Sequence, residues 1–155
     1  TDFGGTMPMD RETAAICAYL AEAFPEAGLA PTAAERADYY RWLFFAAGPV
    51  EAGITDHYMG VNPDEKQRRM AGYSHFELMV DVLEAKVAQS PYVCGDRFTA
   101  ADVYFGSQII WGVQFGTLPS PDAFLAYADR LRARPAYQKA KARDDALIAA
   151  MESGG

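Results

Sequence analysis

The sequence is short of the residues that most often carry chemistry. It has two histidines, His57 and His75, and two cysteines, Cys17 and Cys94. The cysteines lie far apart, with neither the density of a secreted disulfide scaffold nor the close spacing of a zinc knuckle, so a reducing cytoplasm is the simplest setting. The histidines fall on different predicted segments without a carboxylate at ligand spacing, and packing or solvated roles are expected of both. Basic residues are scarce too, fourteen against twenty-one acidic. The resulting net charge of −7 favours solubility and argues against a nucleic-acid backbone or an anionic membrane as partner. No Gly-rich phosphate loop is present, and no alternating strand pattern competes with helix. Residues 1–10 lack the basic start and apolar core of a signal peptide, and suit at most a turn or a strand remnant.

What is abundant is apolar surface. Half of the 155 residues are hydrophobic and 13% aromatic, which fits one domain with one core. The chain is organised around Val93–Gly112, a tight loop turned by Gly95 and followed by a helix. Thr99 and Asp102 have capping-box spacing, and Phe98 with Val103 has that of a hydrophobic staple. Behind the cap stand Val103, Tyr104, Phe105, Ile109, Ile110, Trp111, Val113 and Phe115, and no charge occurs between Asp102 and Asp122. A helix apolar on nearly every side is a buried one. It is shorter than the ~20 residues of a membrane span, so it reads as a core helix. The cap accounts for Thr99 and Asp102 without an acid or a nucleophile.

Around this rod the 3.6-residue period predicts an all-α bundle of about six helices. Ile16, Leu20 and Phe24 mark an inward face of the first helix, stopped by Pro25. Residues 26–32 form a connector and a candidate domain boundary. The second helix, from Thr32 or Ala33, carries two apolar stripes: Tyr40, Leu43, Phe44, Ala47 and Val50, then Tyr39, Trp42, Phe45 and Pro49. The second stripe suits burial on two sides, a ligand wall or a subunit contact, and Gly48-Pro49 predicts a kink or break. Asn62-Pro63-Asp64-Glu65 spells the start of a long third helix reaching Ser90-Pro91 through Tyr73, Phe76, Val80, Leu83 and Val87. Ser120-Pro121-Asp122 opens another, with Phe124, Leu125, Ala128 and Leu131 inward. Arg134-Pro135 restarts the last, and residues 153–155 should fray.

Three blocks, R-E-T-A-A-I-C-A-Y-L-A at Arg11–Ala21, V-C-G-D-R-F-T-A-A-D-V-Y-F at Val93–Phe105 and R-P-A-Y-Q-K-A at Arg134–Ala140, resemble the cytosolic glutathione transferase family in order and spacing. The resemblance implies a division into residues 1–25, the end of a thioredoxin-like half with its last helix, a linker at 26–32, and an all-helical domain at 33–152. It puts Glu12 and Thr13 on the pair that grips the γ-glutamyl end of glutathione, where an anion suits the ammonium and a hydroxyl with helix-start amides suits the carboxylate. Arg11 replaces the usual small capping residue, and Thr13 the commoner serine. Tyr39, Trp42, Phe45, Pro49 and Trp111 become candidates for the hydrophobic-substrate wall. The family's thiol-activating residue and its cis-proline loop have no counterpart in these 155 residues. The implied function is transfer of the glutathione thiol to a hydrophobic electrophile by a homodimer whose catalytic half lies outside the chain. Another glutathione-dependent reaction is equally compatible. The alternative is a non-catalytic helical binding or dimerisation module of the same fold.

Overall fold

The computed structural model describes residues 12–153. The strand or turn expected at residues 1–10, Arg11, and the fraying expected of Gly154 and Gly155 lie outside the described residues. Among these, the chain forms eight α-helices: α1 (Thr13–Ala23), α2 (Arg36–Phe45), α3 (Glu51–Tyr58), α4 (Glu65–Arg68), α5 (Phe76–Gln89), α6 (Ala100–Phe115), α7 (Asp122–Arg132) and α8 (Pro135–Ser153). The all-α class expected from periodicity holds.

The bundle is built on α6, against which α1, α2 and α7 all pack. Phe105, Ile109 and Ile110 are buried in it. Thr99 and Asp102 form the expected capping box, and both are wholly buried. The Asp102 carboxylate accepts the backbone N–H of Thr99 at 2.9 Å and of Val93 at 2.8 Å. It thus fixes both the first turn and the loop before it. That loop closes on itself through two backbone bonds between Tyr92 and Gly95, with Gly95 at φ 113, a conformation that favours glycine.

Glycines set how closely α6 is approached. A Cβ on Gly106 would stand 2.2 Å from Leu131 Cδ1, and one on Gly112 would stand 3.0 Å from Leu118 Cβ. Gly116, at φ 71, ends the helix in the left-handed conformation, a glycine C-cap.

Arg97 ties the connector to this centre. Its guanidinium donates to the carbonyls of Gly28 and Ala30 and to the Glu35 carboxylate at 2.5 Å. Beside it the Ala100 N–H bonds to the Leu29 carbonyl at 3.0 Å.

Several expectations are corrected. On α1 the buried residues are Ala14 and Ala21, while Tyr19, Leu20 and Phe24 are exposed. Small side chains let α1 lie close against α6, and the larger ones point away. On α6 burial is not all-round, since Val103, Trp111 and Phe115 are exposed. The kink or break expected at Gly48-Pro49 takes the form of a change of helix type rather than a break. A π-helical stretch, Ala46–Val50, holds Pro49 inside and runs straight into α3. The wider turn accommodates a residue without an N–H.

The long third helix is split. Asp64, rather than Asn62, caps α4 through a box with Gln67, and the chain then turns through Ser74 at φ 63 before α5. Tyr73 belongs to that turn, where its hydroxyl donates to Asp56 at 2.7 Å. On α7 the inward set includes Tyr127, and Leu125 is exposed. Pro121 precedes α7 without a side-chain cap. On α8, Leu147, Ile148 and Met151 are exposed.

Candidate functional site

Two grooves meet on α6. The first, about 320 Å³, lies between the start of α1, α3 and α6 and is lined by Thr13, Glu51, Ile54, Thr55, Tyr104, Ser107, Gln108 and Trp111. Its geometry follows from the elements described above. The π-turn delivers Glu51 to the start of α3, and helical spacing puts Tyr104, Gln108 and Trp111 on one side of α6. The Tyr104 hydroxyl and the Gln108 amide, the latter at 3.2 Å, both donate to Glu51 Oε1. Burial raises the Tyr104 phenol well above its ordinary range, and the bond to Glu51 adds to this. It therefore stays a protonated donor at neutral pH.

The second groove, about 300 Å³, is more apolar. Leu29, Phe98, Val103, Ile110, Trp111, Leu131 and Tyr137 line it, and Arg134 stands at its side with its guanidinium 3.5 Å over the Phe98 ring. Ser107 and Trp111 belong to both grooves. Trp111 is 58% exposed and stands at the border of the two concavities.

Of the residues singled out from sequence, Thr13 and Trp111 share the first groove. Glu12 precedes α1 as its N-cap residue without a side-chain capping bond. Its charge nonetheless reaches the Tyr104 phenol. Tyr39 and Trp42 are buried in the core, and Trp42 stands edge-on to Phe45 and Phe105. Trp42 borders a separate polar cavity with Asp38, Arg41, Lys86 and Cys94. Phe45 is half-buried against the core, and Pro49 approaches Gly72. Neither groove described above has any of these four among its described lining residues. The stripe lies on the inner face of α2, which period alone cannot tell from a ligand face.

The groove residues that sequence reasoning passed over are Glu51, Ile54, Thr55, Ser107 and Gln108, with Tyr104 taken only as core. A signal was available: polar Ser107 and Gln108 interrupt an otherwise apolar helix. His57 stacks on Phe76 at 3.8 Å, and His75 meets the Ser74 hydroxyl, both packing roles. Burial pushes both thiols, Cys17 and Cys94, upward, which makes them less reactive. Among the described residues no three metal-binding side chains gather, and no helix is long and apolar enough to cross a membrane.

An all-helical bundle with adjoining concave, largely apolar grooves has the architecture of a small-molecule-binding domain. No protein-family model matches the chain. Known proteins do. The chain is 30% identical over 109 residues to the disulfide-bond oxidoreductase YghU of Escherichia coli K12, covering 66% of this chain and 38% of that protein. It is similar to a solved glutathione transferase of Methylococcus capsulatus at 28% identity and a TM-score of 0.66, covering 90% of this chain and 68% of that one. A theta class glutathione S-transferase of Xanthomonas axonopodis pv. citri, solved with glutathione bound, is 32% identical with a TM-score of 0.59, covering 81% of this chain and 70% of that one. The chain belongs to the glutathione transferase family. It spans between 38% and 65% of the length of the curated relatives it matches.

Proposed function

We propose that this chain is the helical portion of a glutathione transferase, which transfers the thiol of glutathione to a hydrophobic electrophile. In this reading residues 1–25 end a thioredoxin-like half, residues 26–32 are the linker, and residues 33–152 are the helical domain that holds the electrophile. The thiol-activating group comes from a segment outside the chain, in keeping with the greater length of the curated relatives. The assembly is a two-fold homodimer in the cytoplasm.

The single observation that carries the reading is that Thr13, at the start of α1, opens onto the same groove as Trp111. A γ-glutamyl group held by Glu12, the Thr13 hydroxyl and the first amides of α1 would lie beside an apolar wall. The thiolate would then meet an electrophile in the same concavity, and much of the rate gain would come from proximity. The glutathione-bound Xanthomonas relative supports glutathione as the co-substrate.

Calorimetry with glutathione tests this, on the chain and on a polypeptide extended to the length of its relatives. Binding that weakens by about tenfold in Glu12→Gln or Thr13→Ala is the expected result. Glutathione affinity indifferent to both substitutions would overturn the assignment of that pair, and an extended protein that ignores glutathione would overturn the transferase reading.

A further inference from the structure

The first groove has a charge as well as a shape. Among the described residues that line it, Glu51 is the only charged one. Glu51 is exposed but held in place, because two donors, Tyr104 and Gln108, both fasten its Oε1. Its Oε2 accepts no hydrogen bond among the described residues, so the carboxylate keeps one oxygen for a ligand. Glu12 adds a second negative charge near enough to act on the same phenol. Trp111 lines the same groove, exposed and with no ring or cation stacked on it among the described residues. A fastened carboxylate in one groove with an exposed indole and the apolar Ile54 is the chemistry that holds an organic cation. The carboxylate takes the N–H, and the π-face takes the charge-bearing carbon body.

We propose that the groove between α1, α3 and α6 selects a co-substrate with an apolar body and a cationic nitrogen, and that Glu51 is the specificity-determining residue. That the ligand is a co-substrate rests on the transferase reading; that the groove prefers a cation does not. Tyr104 and Gln108 are positioning residues, acting through Glu51.

Three probes with one apolar body separate charge from shape: 2-phenylethylammonium, 3-phenylpropionamide and 3-phenylpropanoate, each titrated into the chain by calorimetry and by ligand-observed NMR. The ammonium should bind at least about tenfold more tightly than the carboxylate, since the fastened Glu51 charge attracts one and repels the other. Glu51→Gln, which keeps size and hydrogen bonding, should bring the three within about twofold of one another, and Trp111→Leu should weaken all three. Tyr104→Phe leaves the charge but frees it, and should reduce the preference without abolishing it. A circular dichroism spectrum matching the parent's shows that each variant is folded. A carboxylate that binds as well as the ammonium, an ammonium that does not bind at millimolar concentration, or a preference that survives Glu51→Gln would each overturn the proposal. The outcome is independent of the transferase reading, since cation preference without glutathione binding sinks only that reading, and the reverse sinks only this proposal.

Discussion

The Tyr127 hydroxyl donates to Asp102 at 2.8 Å inside the core, joining the middle of α7 to the first turn of α6. The same carboxylate holds the N–H groups of Val93 and Thr99. One buried acid therefore organises a helix start, a loop and a neighbouring helix.

Removing it should be costly. Asp102→Ala leaves buried donors on three segments without an acceptor, and is expected to lower stability by about 2–4 kcal/mol. Tyr127→Phe deletes one donor to the same acid and should cost about 1–2 kcal/mol. A double-mutant cycle should show strong non-additivity, because one loss contains the other. Urea midpoints within error of the parent for Asp102→Ala would refute this account of the α6 start.

The same tyrosine substitution should behave oppositely in α2. The Tyr39 hydroxyl is buried and has no hydrogen-bond partner among the described residues, so Tyr39→Phe removes an unsatisfied polar group. Stability should stay within about 0.5 kcal/mol of the parent or rise. A loss as large as that of Tyr127→Phe would reveal a partner for this hydroxyl.

Acid should loosen the segment that leads into α2. Hydrogen bonding to Arg97 holds the Glu35 carboxyl down to about 2 from its ordinary 4.5. A carboxylate whose folded value is depressed contributes stability that is complete above the unfolded value and is lost as pH falls toward the folded one. The window is therefore about pH 4.5 down to 2, and the partly exposed pair is worth about 1 kcal/mol. Asp102 acts with the opposite sign: burial raises its carboxyl above 3.8, so its contribution falls as pH rises. Denaturation at pH 6 and pH 3 should show the parent's advantage over Glu35→Gln shrinking at the lower pH. An advantage unchanged between the two pH values would count against the pair.

Local signals and packing were legible in the sequence to different degrees. Thr99 and Asp102 could be read because a capping box is a contact between near neighbours, written in four consecutive residues. The burial of Ile109 and Ile110 followed from a run without charge. What was hidden is whatever depends on a second segment. Ile16, Leu20 and Phe24 mark a face by period alone, but the face that packs is the one small enough to approach α6. The break in the third helix turns on Ser74 and on Tyr73 reaching Asp56, neither of which has a local pattern. Glu51 looked like an ordinary surface acid, since the residues that fasten it, Tyr104 and Gln108, lie more than fifty positions away.

Close approach at the end of α6 should resist a single methyl group. A Cβ on Gly112 would stand 2.6 Å from Leu118 Cγ and 3.0 Å from Leu118 Cβ; a rotamer change can move the Cγ, but the Cβ is fixed by the backbone. Alanine is favoured over glycine within a helix by about 1 kcal/mol, but overpacking costs about 1–3 kcal/mol. Gly112→Ala should therefore be neutral to destabilising by about 2 kcal/mol. Gly106→Ala should cost less, since its closest contact is the Leu131 Cδ1 tip. Thermal melts in which Gly112→Ala is clearly more stable than the parent would show that the Leu118 turn yields.

The two tryptophans should divide stability from binding. Trp42 is buried against Phe105, with Arg41 4.8 Å and Lys86 5.6 Å from its ring centre, so Trp42→Ala should destabilise by about 3–5 kcal/mol. Trp111 is exposed and borders both grooves, so Trp111→Ala should leave stability within about 0.5 kcal/mol while weakening any aromatic ligand. Acrylamide gives an independent reading: quenching should fall steeply in Trp111→Phe, which leaves only the shielded indole. If instead the quenchable fluorescence disappears with Trp42, or Trp111→Ala unfolds the chain, then Trp111 is a core residue and neither groove has the wall assigned to it.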